Sequence, residues 1–305
     1  NENYWGPKPE VDKIVIIDIP ESSSQLLQLK GGTIDVAWNL EHDQIPDVDK
    51  TKGVYSLSKP QFKLIYFAMN GQTPPTDNVL VRRAVKSAID TEAVIKAVGG
   101  GVTKLHTFIP KGMFAYYDGE EVPYNPEKAK ELLAEAGYPN GFEITLTVPD
   151  FLSTEGTVVK SYLEQVGIKT NLEVIAYSTL LGKYRKQGLE MVIARWGADY
   201  ADPDANAKPF AHCRTTGDEA TVKQLAWRNA YANPEMTDMV EEAAFIQDRG
   251  EREKVYLDLQ KKWQSDGIFK TLYQMTIQLG LNDRVGNFIM NELTQTPWEL
   301  ITLKD

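Results

Sequence analysis

The sequence is poor in cysteine and histidine, and this scarcity limits its redox and metal chemistry. Cys213 is the only cysteine among 305 residues, so no disulfide can form within the chain. The histidines, His42, His106 and His212, lie far apart, and no cysteine or carboxylate stands around them at the spacing of metal ligands. We therefore expect neither a bound metal nor a cofactor.

Long apolar runs and basic runs are also missing. No stretch of about 18 consecutive apolar residues is present, which excludes a transmembrane helix, and residues 1–5 lack the basic and apolar regions of a signal peptide. Lys and Arg total 33 against 43 Asp and Glu, which gives a formal charge of −10. This acidic balance is unfavourable for a phosphate backbone or an anionic membrane surface. We expect no nucleic-acid partner and no membrane insertion.

Common catalytic motifs are missing as well. The sequence has no Gly-x-Ser-x-Gly elbow, no phosphate-binding Walker loop, no Gly-x-Gly-x-x-Gly after a strand and no His-Glu-x-x-His. The glycines at 99–101 follow a helical pattern instead of opening one, so they predict a helix stop and not a phosphate site. These absences favour a protein that is not an enzyme.

What is present is the alternation of strand and helix patterns. Hydrophobic residues make up 42% of the chain, and its length favours two domains. Apolar residues in both phases over 11–19 predict a strand buried on both faces. The segment 142–174 predicts a strand, a helix and a second strand, a βαβ unit that indicates a mixed α/β fold. Further strands are predicted near 34–38, 57, 64–69, 191–194 and beyond 271, and helices near 22–29, 77–89, 90–98, 125–136, 180–184, 218–227, 234–247 and 251–263.

An ordered series of short motifs resembles one known family, the extracellular solute-binding proteins of family 5, which include dipeptide-, oligopeptide- and nickel-binding receptors of ABC importers. The similarity covers essentially the whole chain, and no single motif carries it alone. The motifs are Asn1-Glu2-Asn3-Tyr4-Trp5-Gly6, Ile19-Pro20, Gly32-Thr33-Ile34-Asp35, Met69-Asn70, Pro74-Pro75, Val81-Arg82-Arg83-Ala84, Ile109-Pro110-Lys111-Gly112, Tyr124-Asn125-Pro126, Ala136-Gly137-Tyr138-Pro139 and Trp196-Gly197-Ala198-Asp199-Tyr200-Ala201-Asp202-Pro203.

The resemblance implies a periplasmic-binding-protein-like fold of two lobes, type II and of the peptide-receptor class. Family members are much longer, and the opening strand of the first lobe and the small domain inserted after it have no counterpart in this sequence. Residues 1–69 and 280–305 would form the remaining part of the first lobe. Residues 70–279 would form the second α/β lobe, and the chain would cross a hinge near Asn70 and near Leu279.

Candidate ligand contacts cluster in the last motif. A carboxylate at Asp199 suits a ligand ammonium, since burial of an unpaired charge is costly, and the rings of Trp196 and Tyr200 offer apolar faces for packing or for a cation. In the peptide-binding members that this sequence resembles, the aspartate at the position of Asp199 holds the ligand's α-ammonium. Arg195 is a candidate for a ligand carboxylate, although alternation along a strand should point it away from Trp196.

Asn70, at the expected hinge, completes the set of candidate contacts. The resemblance implies a periplasmic, monomeric receptor that takes a peptide or peptide-like solute between its lobes and presents it to an ABC permease, without cofactor or reaction. Two alternatives stay open, namely a hydrolase acting on a similar small substrate and a ligand-sensing domain of a regulator. The ligand itself is also open, because pocket volume is not visible in a sequence.

Overall fold

The computed structural model describes residues 3, 5, 6 and 8–304, except for the side chain of Asp266. The chain divides into two compact units, which we call unit 1 and unit 2. Unit 1 consists of Asn1–Gln61, Gly99–Thr103 and Met275–Asp305, and unit 2 consists of Phe62–Val98 and Lys104–Gln274.

Helices occur in both units, and most of them belong to unit 2. The α-helices are α1 Ser22–Lys30, α2 Ile45–Asp49, α3 Val79–Ala88, α4 Thr91–Ala97, α5 Pro126–Glu135, α6 Ser153–Glu164, α7 Tyr177–Tyr184, α8 Asp204–Ala211, α9 Leu225–Arg228, α10 Pro234–Phe245 and α11 Arg249–Asp266. Short 3₁₀ turns occupy His42–Gln44, Asp150–Leu152 and Trp298–Leu300.

Two of the strands are long, and each runs through a boundary between the units. The strands are β1 Val36–Trp38, β2 Val54–Met69, β3 Thr103–Lys104, β4 Phe142–Pro149, β5 Ile168–Ile175, β6 Met191–Gly197, β7 Phe269–Asn282, β8 Val285–Gly286 and β9 Thr302–Leu303. In unit 1, β1 pairs antiparallel with the second half of β7, and β8 pairs with β9.

The sheet of unit 2 positions the candidate site. Its strands follow the order β2, β6, β4, β5, where β4 is parallel to both β5 and β6 and β2 is antiparallel to β6. Helix α6 packs closely on this sheet at Gly156, where an added Cβ would lie 2.9 Å from Leu172 and 3.0 Å from Val148. The carboxyl ends of β4, β5 and β6 therefore lie at one edge, where open α/β sheets commonly bind ligands.

An aromatic cluster forms the core beneath this edge. Phe210 of α8 makes edge-to-face contacts with Tyr66 and Phe269, both at 5.2 Å between ring centroids. Trp263 of α11 stacks on Phe269 at 5.8 Å, and its ring is 1% exposed. Buried aromatic rings of this kind contribute both area and specific geometry to a core, so the helices behind β6 and β2 are held in place by it.

Most predicted elements are confirmed, because their local signals are strong. The predicted βαβ unit is present as β4, α6 and β5. Asn78, Asp90 and Asn125 cap α3, α4 and α5 by accepting backbone N–H groups of the first turn. Pro126 occupies the first position of α5, as predicted.

The helix predicted over 218–227 is mostly wrong. Only Leu225–Arg228 is helical, and the residues before it form a loop. Hydrogen bonds from side chains, and not the backbone hydrogen bonds of a helix, satisfy the carbonyls of this loop. The Trp227 indole donates to the Gly217 carbonyl at 3.0 Å, and the Gln187 amide donates to the Thr216 carbonyl at 3.0 Å.

The buried strand predicted over 11–19 is also wrong. The segment has no strand pairing in the described part of the chain, and Ile14, Val15, Ile16 and Ile17 are 44%, 65%, 85% and 57% exposed. The residue pattern satisfies a strand, but a strand needs a neighbour to complete its hydrogen bonds. The alternation of apolar residues therefore predicted neither the pairing nor the burial of this segment correctly.

Candidate functional site

The candidate site lies at the carboxyl edge of the parallel strands of unit 2. Phe151 lies two residues beyond β4, and Tyr177 lies two residues beyond β5. Arg195 and Trp196 are the residues just before the last residue of β6. The loop that follows β6 carries Asp199 before α8 begins. Neighbouring strands thus bring these candidate side chains to one edge of the sheet.

Trp196 forms the apolar part of the site and is half-buried. Its ring contacts the ring of Phe210 edge to face, at 6.4 Å between centroids. Its indole N–H donates to the Ala205 carbonyl at 3.3 Å. The ring is therefore fixed between the core and the first turn of α8, and it leaves part of its surface available.

The loop between β6 and α8 is anchored at both ends. The Ala198 N–H donates to the Phe62 carbonyl at 2.9 Å. Asp202 receives two hydrogen bonds from the Arg252 guanidinium, at 2.7 and 2.8 Å. Burial opposes the charge on Asp202, but the hydrogen bonds from Arg252 and from the Asp204 N–H outweigh it and hold the pKa of Asp202 below its usual value. Asp202 thus shapes the loop.

Asp199 presents an exposed carboxylate in the middle of this loop. Within residues 8–304, no hydrogen bond or ion pair occupies its side chain. Tyr200, beside it, is 48% exposed, and its hydroxyl donates to Asp204 at 2.9 Å. Burial and the hydrogen bond to Asp204 raise the pKa of Tyr200 to about 12, so this phenol stays neutral. Of the side chains described in this loop, the exposed carboxylate of Asp199 is the one that can accept a hydrogen bond from a cation without losing an existing partner.

Arg195 points away from Trp196, as alternation along β6 predicts. Its guanidinium carbon lies 4.8 Å from the ring centroid of Phe151 and 5.1 Å from that of Tyr177. These two rings contact each other edge to face at 5.4 Å. The sequence identified Arg195 but not its aromatic neighbours, because they come from two other strand ends and only the parallel register brings them together.

The structure separates Asn70 from the other candidates. Met69 pairs with Met191 and Leu64 pairs with Trp196, so Asn70 lies about 20 Å along the strand pair from the indole. Asn70 is 4% exposed, and its side-chain amide donates to the carbonyls of Gln187 and Leu189, both at 3.3 Å. These bonds tie the end of β2 to the chain that enters β6.

His212 and Cys213 are not part of the candidate site. His212 contacts the Glu241 carboxylate at 2.9 Å, and neighbouring Cys213 is buried. Burial raises the pKa of the Cys213 thiol to about 11, which leaves it unreactive at neutral pH. Among the described residues no group of three or more His, Cys, Asp or Glu side chains is arranged to hold a metal ion.

A separate cavity of about 540 Å³ lies along β4 and β5 and is lined by polar side chains. Its acidic groups are already engaged within the protein. Glu173 pairs with Lys183 at 2.7 Å, and Glu190 accepts the Thr145 N–H at 2.8 Å. We therefore place the candidate site at the strand edge and not in this cavity. No helix in the described part of the chain has both the length and the apolar character to cross a membrane.

Solved structures define the class of the fold. A periplasmic binding protein of Helicobacter pylori associated with an ABC transporter, solved in complex with the peptide STSA, matches 100% of this chain and 59% of its own, with a TM-score of 0.85 and 26% identity. HbpA2 from Haemophilus parasuis matches 100% of this chain and 61% of its own, with a TM-score of 0.85 and 25% identity. The chain has the mixed α/β fold of periplasmic binding proteins.

Sequence comparison then identifies the family. Residues 1–218 match the model of the bacterial extracellular solute-binding proteins, family 5 Middle, and the chain belongs to this family. It is 30% identical to heme-binding protein A of Haemophilus influenzae over 85% of this chain and 48% of the relative. It is 27% identical to the glutathione-binding protein GsiB of Escherichia coli K12 over 94% of this chain and 57% of the relative. The chain thus spans about half to three-fifths of the length of these relatives, and neither of them is named as a hydrolase or a regulator.

Proposed function

We propose that this chain binds a peptide or peptide-like solute, as the receptor component of an ABC importer. Family membership supports this proposal, because two relatives are named as heme-binding and glutathione-binding proteins. A third relative, from Escherichia coli K12, is named as a probable D,D-dipeptide-binding periplasmic protein. A fold neighbour is solved with a peptide. The family consists of substrate-binding proteins, which supports binding without turnover.

The observation that carries the proposal is the unpaired carboxylate of Asp199, three residues along the chain from the fixed ring of Trp196. A ligand ammonium that leaves water needs an opposite charge, and an ordered loop supplies one without a reorganisation cost. We propose that Asp199 binds the ammonium and that Trp196 and Tyr200 pack on the solute. The backbone hydrogen bonds of Asn70 support a structural role for that residue.

The first prediction concerns Asp199→Asn, which keeps the size of the side chain and removes its charge. We expect this variant to bind the peptide STSA or glutathione about 1–3 kcal/mol more weakly than the unsubstituted chain, because the bound ammonium loses its counter-charge. Isothermal titration calorimetry measures this difference. The N-acetylated ligand, which has no ammonium, should bind both proteins equally.

Asp218→Asn is the matched control, since Asp218 is a fully exposed loop aspartate of the same unit, 3.9 Å from Lys223. It should leave the affinity unchanged. If Asp199→Asn binds the free ligand as tightly as the control does, the assignment of the ammonium site is wrong. Consumption of the peptide during the titration would instead indicate an enzyme.

The expected arrangement and location belong to the same proposal. We propose that the chain forms two lobes, of which the sequence assigns residues 1–69 and 280–305 to one and residues 70–279 to the other. The compact units differ from this division at residues 62–69, which belong to unit 2, and at residues 99–103 and 275–279, which belong to unit 1. We also propose that the protein acts as a monomer outside the cytoplasmic membrane, where a permease receives its ligand. The name of the D,D-dipeptide-binding relative, a probable periplasmic protein, supports this location.

A further inference from the structure

An open groove of about 460 Å³ lies where α10 meets α11 in unit 2. Its lining combines apolar and polar side chains, among them Phe114, Ala201, Ile246, Gln247, Arg249 and Arg252. Ala201 and the neighbouring Asp202 belong to the loop after β6, which also carries Asp199. A molecule in this groove would therefore touch the same loop as the proposed solute.

Two arginines line the groove, and their charges differ in what they face. Arg252 donates two hydrogen bonds to Asp202, at 2.7 and 2.8 Å. The exposed side chain of Arg249 makes no hydrogen bond or ion pair within the described chain. Its neighbour Asp248 caps α11, since its carboxylate accepts the Glu251 N–H at 2.8 Å. The groove thus keeps one positive charge without a counter-charge among the described residues.

Phe114 orients the guanidinium of Arg249. The guanidinium carbon lies 4.1 Å from the ring centroid of Phe114, which is half-buried. A guanidinium that stacks on a ring keeps its N–H groups in its own plane, where they stay available to an acceptor. This planar fork matches the two oxygens of a carboxylate. Because the ring sets its position before a partner arrives, less entropy is lost on binding.

Phe245, the last residue of α10, adds an apolar contact beside the groove. It is 81% exposed, more than any other large hydrophobic side chain described in unit 2. Aromatic and arginine side chains are enriched at the centres of protein interfaces. Sites for small molecules are concave and enclose the ligand, whereas a ring that projects from the surface suits insertion into a partner protein.

The charge of the chain indicates which partner fits. The net charge of −10 disfavours an acidic partner over the surface as a whole, so an unpaired arginine gives such a partner one preferred orientation. A permease that takes over the solute approaches the loop that holds it, and the groove adjoins this loop. We infer that the groove docks an acidic segment of this permease, with a carboxylate on Arg249 and an apolar side chain against Phe245. The inference rests on the proposed function, which supplies the partner.

Photo-crosslinking in the cells that make the protein tests this inference. Benzoylphenylalanine replaces Gln247, which is exposed and lines the groove. The control probe replaces Glu135, which is exposed at the end of α5 and does not line the groove. Mass spectrometry identifies what each probe captures. The Gln247 probe is then combined with Arg249→Glu, with Phe245→Ser and with the matched control Arg185→Glu, an exposed arginine at the end of α7.

We expect the Gln247 probe to capture an ABC permease subunit and the Glu135 probe to capture none. Arg249→Glu should lower the yield by about tenfold or more, because a close charge pair across the interface becomes a repulsion. Phe245→Ser should lower it in part, and a substitution at so exposed a position leaves folding intact. Arg185→Glu should leave the yield unchanged. In calorimetry, Arg249→Glu should bind STSA and glutathione as tightly as the unsubstituted chain does.

The outcomes separate the two proposals. Capture of a second copy of this chain, or of a permease with equal yield in Arg249→Glu and Phe245→Ser, would show that the docking inference is wrong. It is also wrong if STSA or glutathione binds and no permease is captured, and the proposed function then stands. A loss of solute affinity in Arg249→Glu would assign the groove to the solute instead. If neither solute binds and no permease is captured, the proposed function fails, and the docking inference fails with it.

Discussion

Glu155 lies in the first turn of α6, and only 3% of it is exposed. Its carboxylate accepts a hydrogen bond from the Tyr273 hydroxyl. Burial raises the pKa of Glu155 more than this hydrogen bond lowers it. The folded state therefore holds the proton more tightly than the unfolded state does, and stability falls as the pH rises through this raised pKa.

Glu155→Gln removes this dependence, because an amide has no charge to bury and its oxygen can still accept from Tyr273. We expect the free energy of unfolding of Glu155→Gln to exceed that of the unsubstituted chain at about pH 7, and the difference to vanish below about pH 4. Urea denaturation across this pH range measures it. A difference that does not change with pH would show that the carboxylate is not buried as a charge.

The sequence could identify individual site residues only where a motif carries them. Trp196 and Asp199 belong to a contiguous motif, so their joint position at the end of one strand and the start of the next loop was predictable. Phe151 and Tyr177 gave no such signal, since each is an ordinary residue after a strand until the register of β4, β5 and β6 is known. Side chains that meet through pairing cannot be found from their sequence separation.

The helices show how far local signals reach at the scale of an element. Asn125 caps α5 through its side-chain oxygen, which accepts the Lys128 N–H at 2.9 Å, and Asn233 caps α10 in the same way. Such caps act within four residues, so the sequence alone predicts them. The strand over 11–19 failed for the opposite reason, because burial depends on a distant neighbour.

Asn125→Ala should destabilise the protein by roughly 1 kcal/mol, because the first turn of α5 loses the acceptor for one of its free N–H groups. Asn125→Asp should retain most of the stability, as its carboxylate accepts the same bond and suits the positive helix end. Urea denaturation of the three proteins at one pH is the measurement. Equal midpoints for all three would contradict the cap.

At the scale of the whole molecule, exposed apolar surface is unevenly distributed. Of the sixteen large hydrophobic side chains exposed in the described residues, eleven lie in unit 1, although it is the smaller unit. The segment Ile14 to Ile17 contributes four of them in succession. Apolar clusters of this kind are uncommon on monomeric proteins, and they contribute nothing to the core of unit 1, which Leu279 and Leu281 help to form.

Ile16→Thr should therefore change the free energy of unfolding by no more than about 0.5 kcal/mol, the usual range for exposed positions. Leu279→Ala, at a position that is 0% exposed in the same unit, should cost roughly 2–5 kcal/mol. Denaturant titration of both variants makes the comparison. A loss of several kcal/mol for Ile16→Thr would mean that the segment is packed in solution.

The anchoring of the loop after β6 has a consequence for how fast a solute would bind at the proposed Asp199 site. Hydrogen bonds from Trp196 to Ala205 and from Arg252 to Asp202 hold the loop on either side of Asp199. A carboxylate that is already in position needs no slow rearrangement before an encounter succeeds, so the rate of association is left to diffusion and long-range attraction. With a net charge of −10, the molecule as a whole draws cationic groups toward such a position, and added salt would slow their arrival.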